Sequence, residues 1–189
     1  MSPLNPNVEA PPSVYDPDRA REIVESLDEV PVIPFNYQVG RQLGDEDVAE
    51  IIVGMLEGVG FQVERGPQEY ATLVGSVISG EVNGMFDTST RPVYLHPDVY
   101  ANAFLSPTVS LTKSCMSEPR LDELREAGVA ALDPVEAGEI YTELDFLATN
   151  EVFCIVPTYV ENRNYGMTSD IQSFKSRADS IPDWFEASY

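Results

Sequence analysis

Apolar residues in the first half of the chain follow two periods, one typical of strands and one typical of helices. The segment 32–39 has apolar side chains at every second position from Ile33 to Tyr37, which predicts a strand with one buried face. Shorter apolar runs at 61–64 and 82–87 predict two more strands.

The segments between these predicted strands carry apolar residues at helical spacing. The acidic run 45–47 opens one helix, because negative charge is favourable at a helix N-terminus. Pro67 opens the next helix, and Gly80 ends it. The resulting β-α-β-α-β order with short links predicts an α/β fold with a parallel sheet. The buried stripe expected in the first of these helices consists of Val48, Ile51, Ile52, Met55 and Val59.

Two Asp-Pro pairs predict further helix starts, with the aspartate as N-cap and the proline in the first helical position. Asp16-Pro17 begins a helix before the first strand, and Asp133-Pro134 begins one that runs to about residue 150. Another helix is predicted at 118–131. The apolar segment 152–160 then predicts a final strand, although a proline interrupts it.

The charge of the chain excludes several classes of partner. Its 189 residues carry 32 acidic and 11 basic side chains, which gives a net charge of -21. Phosphate backbones and anionic lipids would be repelled, so we expect no nucleic-acid binding and no membrane binding. The acids are spread evenly and lysine is nearly absent, a pattern typical of proteins adapted to high salt. The alternative is an acidic protein from ordinary salt.

The chain shows no membrane span and no export signal. Its apolar runs stay well below the ~20 residues that a spanning helix needs. The N-terminal residues MSPLNPNVEAPPSVYDP lack both a basic start and an apolar run, so they do not form a signal peptide. Cys154 lies in an apolar segment, which predicts a buried thiol that forms no disulfide. A bridge between Cys115 and Cys154 is the alternative.

The sequence shows no arrangement of residues that is typical of an enzyme active site. His96 is the single histidine, and no G-x-S-x-G nucleophile elbow is present to support a triad. The acidic run 45–47 lacks the spacing of a calcium loop, and Gly58 and Gly60 follow a predicted helix instead of preceding one, as a phosphate loop would. We therefore expect no enzymatic activity, no cofactor and no metal.

Polar residues after the third predicted strand form the candidate binding site. In open parallel sheets, ligands bind beyond the carboxyl ends of the strands. The segment that follows this end mixes hydroxyl groups, an arginine and aromatic rings, which suits recognition of polar groups. An ordinary solvated loop is the alternative. The candidate residues are Asp87, Thr88, Ser89, Arg91, Tyr94 and His96.

Several segments of the chain, in a fixed order, resemble one family of proteins. They are YDPDRAREIVESL from Tyr15, GEVNGMFD from Gly80, SEPRLDEL from Ser117, DPVEAGEIYTEL from Asp133 and FCIVPTYV from Phe153. This series resembles the C-terminal part of the oligopeptide-, dipeptide- and nickel-binding family of ABC-transporter solute-binding proteins. The series covers about four-fifths of the chain.

The resemblance implies one lobe of a periplasmic-binding-protein-like fold, with added C-terminal helices and a return strand. Residues 1–14 would be extended, 15–160 would form the second lobe of the family, and 161–189 would return to the first lobe. Such a protein captures a peptide or another small polar solute between two lobes and delivers it to a membrane permease. It acts outside the cytoplasm, in the periplasm or at the cell surface, so its export signal would lie on a longer precursor.

One departure from the family bears on the ligand. Many peptide-binding members carry a tryptophan and an aspartate after the third strand, and that aspartate receives the amino terminus of a peptide. Here the corresponding segment begins at Arg91 and shows no clear acid, so a free peptide amine is not the expected ligand. The alternative to solute capture is a stand-alone acidic α/β module that binds another protein.

Overall fold

The computed structural model describes residues 15–89, 96–106, 117–159 and 164–171, together with the backbone of 175–176 and 182–183. The chain divides between Thr90 and Arg91 into two compact units. We name the described residues before this boundary the sheet unit and those after it the helical unit. Each unit is considered by itself below.

The sheet unit has the predicted β-α-β-α-β order, preceded by one helix. Helix α1 begins where the sequence predicts, because the side chain of Asp16 accepts a hydrogen bond from the backbone N–H of Arg19 at 2.8 Å. Helix α3 ends at Gly80, which has a left-handed φ of 75°. The elements are α1 Pro17–Glu25, β1 Val32–Val39, α2 Asp45–Gly58, β2 Gln62–Glu69, α3 Tyr70–Ser79 and β3 Met85–Asp87.

The three strands form a parallel sheet in the order β2-β1-β3, which confirms the predicted fold class. Strand β1 is central and pairs with β2 along its whole length, from Val32 opposite Gln62 to Val39 opposite Glu69. It pairs with β3 over three residues, ending with Tyr37 opposite Asp87. The carboxyl ends of all three strands therefore lie at one edge of the sheet.

Strand β2 is twice as long as predicted, and helix α3 begins later. Pro67, which was expected to open a helix, lies inside β2 opposite Tyr37. Proline is tolerated there because β2 is an edge strand of the described sheet, where only one side of the strand takes part in the ladder. The side chain of Glu69 caps α3 instead, accepting from the backbone N–H of Ala71 at 2.9 Å and of Thr72 at 3.3 Å.

Helix α2 packs on the sheet through smaller residues than predicted. Ala49 and Val53 are fully buried against Phe35 and Tyr37 of β1. Of the predicted stripe, Ile52 packs against this core, whereas Ile51 and Met55 are more than half exposed. The helix is thus rotated relative to the stripe of largest side chains, because close approach to the sheet favours the smaller residues.

The helical unit contains α4, α5 and α6, of which α5 and α6 confirm the two helices predicted after residue 117. Asp133 caps α6 as expected, accepting from the backbone N–H of Val135 at 2.8 Å. Helices α4 and α6 each pass into one π-helical turn. The elements are α4 Pro97–Tyr100, a π-helical turn Ala101–Leu105, α5 Arg120–Ala130, α6 Pro134–Phe146 and a π-helical turn Leu147–Glu151. The core of this unit consists of Ala101, Leu105, Leu121, Leu124, Tyr141, Leu144 and Ala148.

The segment after α6 differs from the prediction. Residues 153–159 do not form a strand, and Phe153 has a left-handed φ of 54°, which is incompatible with a strand at that point. Phe153 and Val156 are about 70% exposed. Further along, β4 Lys175–Ser176 and β5 Pro182–Asp183 pair as a short antiparallel ladder.

Cys154 also differs from the prediction. Its sulfur belongs to a disulfide, so the expectation of an unbonded thiol is wrong and the alternative of a bridge is favoured. The second cysteine of the sequence, Cys115, lies outside the described residues. Cys154 packs against the core of the helical unit, as its apolar surroundings in the sequence indicated.

Candidate functional site

Polar side chains converge at the carboxyl edge of the sheet. Arg41 follows β1, Tyr70 follows β2 and Ser89 follows β3, so each strand contributes one residue just beyond its end. Gln38, near the end of β1, is buried beneath them. We name this group, with Gln42 and Asp45, the edge cluster.

Arg41 is the central side chain of the edge cluster. Its guanidinium carbon lies 3.7 Å from the centroid of the Tyr70 ring, which is a cation–π contact between the ends of β1 and β2. Its Nη1 donates to the backbone oxygen of Ser89 at 3.2 Å and to the Ser89 hydroxyl at 3.1 Å. A longer contact of 3.5 Å joins Nη1 to Oε1 of Gln38. Arg41 thereby connects the ends of all three strands.

Three nitrogen donors contact the hydroxyl oxygen of Ser89. Besides Nη1 of Arg41, the amide nitrogen of Gln42 lies 3.2 Å from Ser89 Oγ, and that of Gln38 lies 3.5 Å away. A hydroxyl oxygen accepts through two lone pairs, so these donors saturate it.

Asp45 fixes the loop that carries Arg41. Its side chain is buried, and Oδ2 accepts from the backbone N–H groups of Arg41 at 3.2 Å and Gln42 at 2.8 Å. Oδ1 accepts from the side-chain amide of Gln38 at 3.1 Å. Three hydrogen bonds compensate for burial of this carboxylate. The first residue of α2 therefore sets the conformation of the loop before it.

Asp87, the last residue of β3, lies in an unusual electrostatic environment. Burial raises the pKa of its carboxyl group, and the negative charge of Asp45 raises that pKa further. Raised carboxyl pKa values are common at binding and catalytic sites, since such sites hold a charged group out of water. Here the shift indicates that two carboxyl groups share the carboxyl edge of the sheet.

The structure brings some of the predicted site residues together and separates others. Ser89 belongs to the edge cluster, and Asp87 and Thr88 precede it directly at the end of β3. Arg91 and Tyr94 lie outside the described residues. Their roles remain predictions.

His96 belongs to the helical unit, where its side chain has structural partners. Its Nδ1 accepts from the backbone N–H of Asp98 at 3.2 Å and caps α4. Its ring stands edge-on to Tyr141, with ring centroids 5.8 Å apart. These contacts explain the position of His96 without a ligand.

Gln38, Arg41 and Tyr70 were not among the predicted site residues. The prediction placed the site only at the end of the third strand, although the same rule applies to every strand of a parallel sheet. Arg41 comes two residues after the predicted end of the first strand, which is a signal that could have found it. Tyr70 could not be found in this way, because β2 was predicted to end several residues earlier.

Metal-binding groups and membrane-spanning helices were sought among the described residues. Among them, no group of three or more histidine, cysteine and acidic side chains is arranged to hold a metal ion. Of the helices in the described part of the chain, none combines the length and apolarity that a membrane crossing requires.

Solved structures share this fold. An oligopeptide-binding protein, OppAIV, from Borrelia burgdorferi matches with a TM-score of 0.68 at 16% identity, over 78% of this chain and 30% of its own. NikA from Brucella suis, solved with Fe(III)-EDTA, matches with a TM-score of 0.63 at 14% identity, over 78% and 33%. A periplasmic oligopeptide-binding protein from Thermotoga maritima, solved with mannohexaose, matches with a TM-score of 0.62 at 17% identity, over 76% and 30%.

The chain has the fold found in periplasmic solute-binding proteins of ABC transporters. This confirms the fold that the sequence motifs implied. A putative peptide-binding protein, AppA, from Clostridium difficile also matches, with a TM-score of 0.59 at 20% identity, over 69% of this chain and 27% of its own. The chain spans about a third or less of the length of each of these structures. No family model and no curated protein matches it.

Proposed function

We propose that this chain is part of the solute-binding component of an ABC importer and that it captures a peptide or another small polar solute. Capture involves no covalent change to the solute. The observation that carries the proposal is the edge cluster, where Arg41, Tyr70 and Ser89 converge from three strand ends in a fold shared with solute-binding proteins. Ligands of open parallel sheets bind at this position.

The domain division that the sequence predicts is part of this proposal. Residues 15–160 would form one lobe, and 161–189 would return to the other lobe, which a longer protein supplies. The exposed apolar side chains of Phe153 and Val156 support it, since they lie near the C-terminal end of the proposed lobe, where the other lobe could cover them. Closure of two lobes would exclude water from the edge cluster and complete the contacts to the solute.

The similar structures guide the choice of ligand. One was solved with mannohexaose and another with Fe(III)-EDTA, and a third is an oligopeptide-binding protein, so the fold accepts solutes of different chemistry. We infer a location outside the cytoplasm and a permease partner on the same basis. The stand-alone protein-interaction module is not favoured, because the similar structures are solute-binding proteins.

Solute pools and amide-resonance NMR test the proposal directly. The full chain would be titrated with separate pools of short peptides, neutral oligosaccharides and sugar acids. We expect one pool to shift amide resonances of residues 38–42, 70 and 87–89. A single lobe supplies about half of the contacts, so a dissociation constant in the millimolar range is expected. Shifts confined to the helical unit, or none in any pool, would contradict the proposal.

A variant at the edge cluster gives the matched comparison. Ser89→Ala removes the hydroxyl on which three donors converge, and it should weaken binding of the active pool several-fold. Ser79→Ala removes a hydroxyl that only bonds within α3, to the carbonyl of Ser76 at 3.1 Å. The Ser79→Ala variant should bind the pool as the unmodified chain does.

A further inference from the structure

Asn83 and Gly84 form the only Asn-Gly pair in the sequence, and they lie in the segment between α3 and β3. Both residues are exposed to solvent. The backbone oxygen of Asn83 accepts from Nδ2 of Asn36 at 2.9 Å, whereas its side-chain amide has no hydrogen bond to a residue in the described part of the chain. The pair therefore combines an accessible, unrestrained amide group with a following residue that carries no side chain.

The fold requires glycine at position 84. Its φ of 82° lies in the left-handed region, which residues with a side chain rarely adopt. A β-carbon at this position would overlap the backbone oxygen of Pro34 and would lie 2.9 Å from Cβ and Cδ of the same residue. Any other residue type at position 84 would therefore clash with strand β1. The close approach of the two strands retains the glycine that follows Asn83.

An asparagine that precedes glycine can close a five-membered ring on its own backbone, because glycine allows close approach to its backbone nitrogen. The nitrogen of Gly84 attacks Cγ of Asn83, the Cγ–Nδ2 bond breaks, and ammonia leaves with the proton that the backbone nitrogen gives up. Water then opens the cyclic imide at one of its two carbonyl carbons. Opening at Cγ gives aspartate. Opening at the backbone carbonyl carbon gives isoaspartate, in which the main chain runs through the side chain.

Isoaspartate at position 83 would change the start of β3. It adds one methylene group to the main chain and converts the backbone oxygen of residue 83 into part of a free carboxylate. Nδ2 of Asn36 holds this oxygen, and it also donates to the backbone oxygen of Met85 at 3.2 Å. Strand β3 pairs with β1 over only three residues, so a displacement at its start affects Asp87 at its end.

We propose that Asn83 is a site of spontaneous deamidation, and that its isoaspartate product loosens β3 and weakens the contact of Ser89 with Arg41. The modification needs water alone, and it is independent of the proposed function. The deprotonated backbone nitrogen is the nucleophile, so the reaction is faster at mildly alkaline pH than at mildly acidic pH. Older molecules thus differ from newly made ones at the carboxyl edge of the sheet.

Incubation of the full chain in mildly alkaline buffer, followed by proteolysis in acid and peptide mass spectrometry, tests the modification. Asn102 is the internal control, because it is also exposed but is followed by alanine in a π-helical turn. Conversion at Asn83 should be at least several-fold faster than at Asn102, and enzymatic methylation should detect isoaspartate in the product. Equal conversion at the two positions, or no conversion at Asn83, would overturn the inference.

Amide-resonance NMR of residues 85–89 tests the structural consequence. The aged chain should show a second set of these resonances, in proportion to the isoaspartate that mass spectrometry detects. Asn83→Gln closes a ring far less readily, because its side chain is longer, and after the same incubation it should keep a single set. Freshly purified Asn83→Asp carries the new charge without the longer main chain, and it should resemble the unmodified chain. If isoaspartate accumulates while the resonances stay single, the proposed effect on β3 is wrong.

Discussion

Gly128 of α5 lies directly against the aromatic ring of Tyr141 of α6. A β-carbon at position 128 would be 2.8 Å from Cζ of Tyr141 and 2.9 Å from its Cε2. Both residues are buried in the helical unit. The two helices therefore approach as closely as they do because position 128 carries no side chain.

Gly128→Ala should destabilise the chain for this reason. Alanine favours a helix over glycine by about 1 kcal/mol, but overpacking of a core costs about 1–3 kcal/mol. We expect a net loss of about 1 kcal/mol in the free energy of unfolding by urea. Gly54→Ala is the matched control, because a β-carbon at that helical position meets nothing within 4 Å. It should stabilise by up to about 1 kcal/mol. Equal shifts of both variants would refute the packing argument.

The net charge of -21 predicts a stability that depends on ionic strength. Raising sodium chloride from about 0.01 to 1 M shortens the Debye length from about 30 to 3 Å and screens the repulsion among acidic groups. We expect the thermal midpoint to rise by about 5–10 °C, which corresponds to a few kcal/mol for a chain of this size.

The control for this experiment is the identity of the anion. Screening depends on ionic strength alone, so sodium chloride and sodium perchlorate should give the same gain at low concentration. Different gains would indicate a specific anion effect, and a flat salt dependence would contradict the prediction of salt adaptation.

Asp87→Asn should stabilise the chain at neutral pH. Burial and the charge of Asp45 raise the pKa of Asp87, so the folded chain binds its proton more tightly than the unfolded chain does. The stabilising contribution of that proton is complete below the ordinary pKa of 3.8 and is lost as the pH rises through the folded value. The advantage of the variant should therefore disappear below about pH 3.8.

Asp28→Asn is the comparison for this variant, because it removes the same charge from an exposed position. Urea unfolding of both variants at neutral and acid pH separates the effect of burial from that of net charge. If the two variants behave alike, the local environment of Asp87 contributes nothing.

His96→Ala should lower stability by about 1 kcal/mol, because it removes the acceptor for the N–H of Asp98 at the start of α4. His96→Asn keeps a side-chain acceptor at the cap and should retain most of the stability. Thermal unfolding measures both. If His96→Asn also abolished solute binding in the pool experiment while remaining folded, the predicted site role of His96 would be supported over a purely structural one.

Elements with local signals were predictable from the sequence. Asp16 and Asp133 cap the helices that their Asp-Pro pairs indicate, and β1 spans the predicted residues. Non-local effects were not predictable. Pro67 resembles a helix start until its position on an edge strand is known, and Ile51 resembles a core residue until α2 is seen to pack through Ala49.

The candidate site likewise contains one residue whose position was predictable and one contact that was not. Ser89 follows a strand that the sequence reveals, so its place at the carboxyl edge was predictable from topology. The pairing of Arg41 with Tyr70 was not, because 29 positions separate them and the true length of β2 brings them together. Contacts between distant loops depend on the register of the strands that carry them.

The stacking of Arg41 on Tyr70 has a consequence for the thermodynamics of capture. An unrestrained arginine has about 2 kcal/mol of rotamer entropy to lose when it is immobilised. Here much of that loss occurs when the chain folds, because Tyr70 and Ser89 already hold the side chain. In the proposed capture, a solute would then meet a group of fixed orientation. The direction of its approach would be determined by the sheet before the solute arrives.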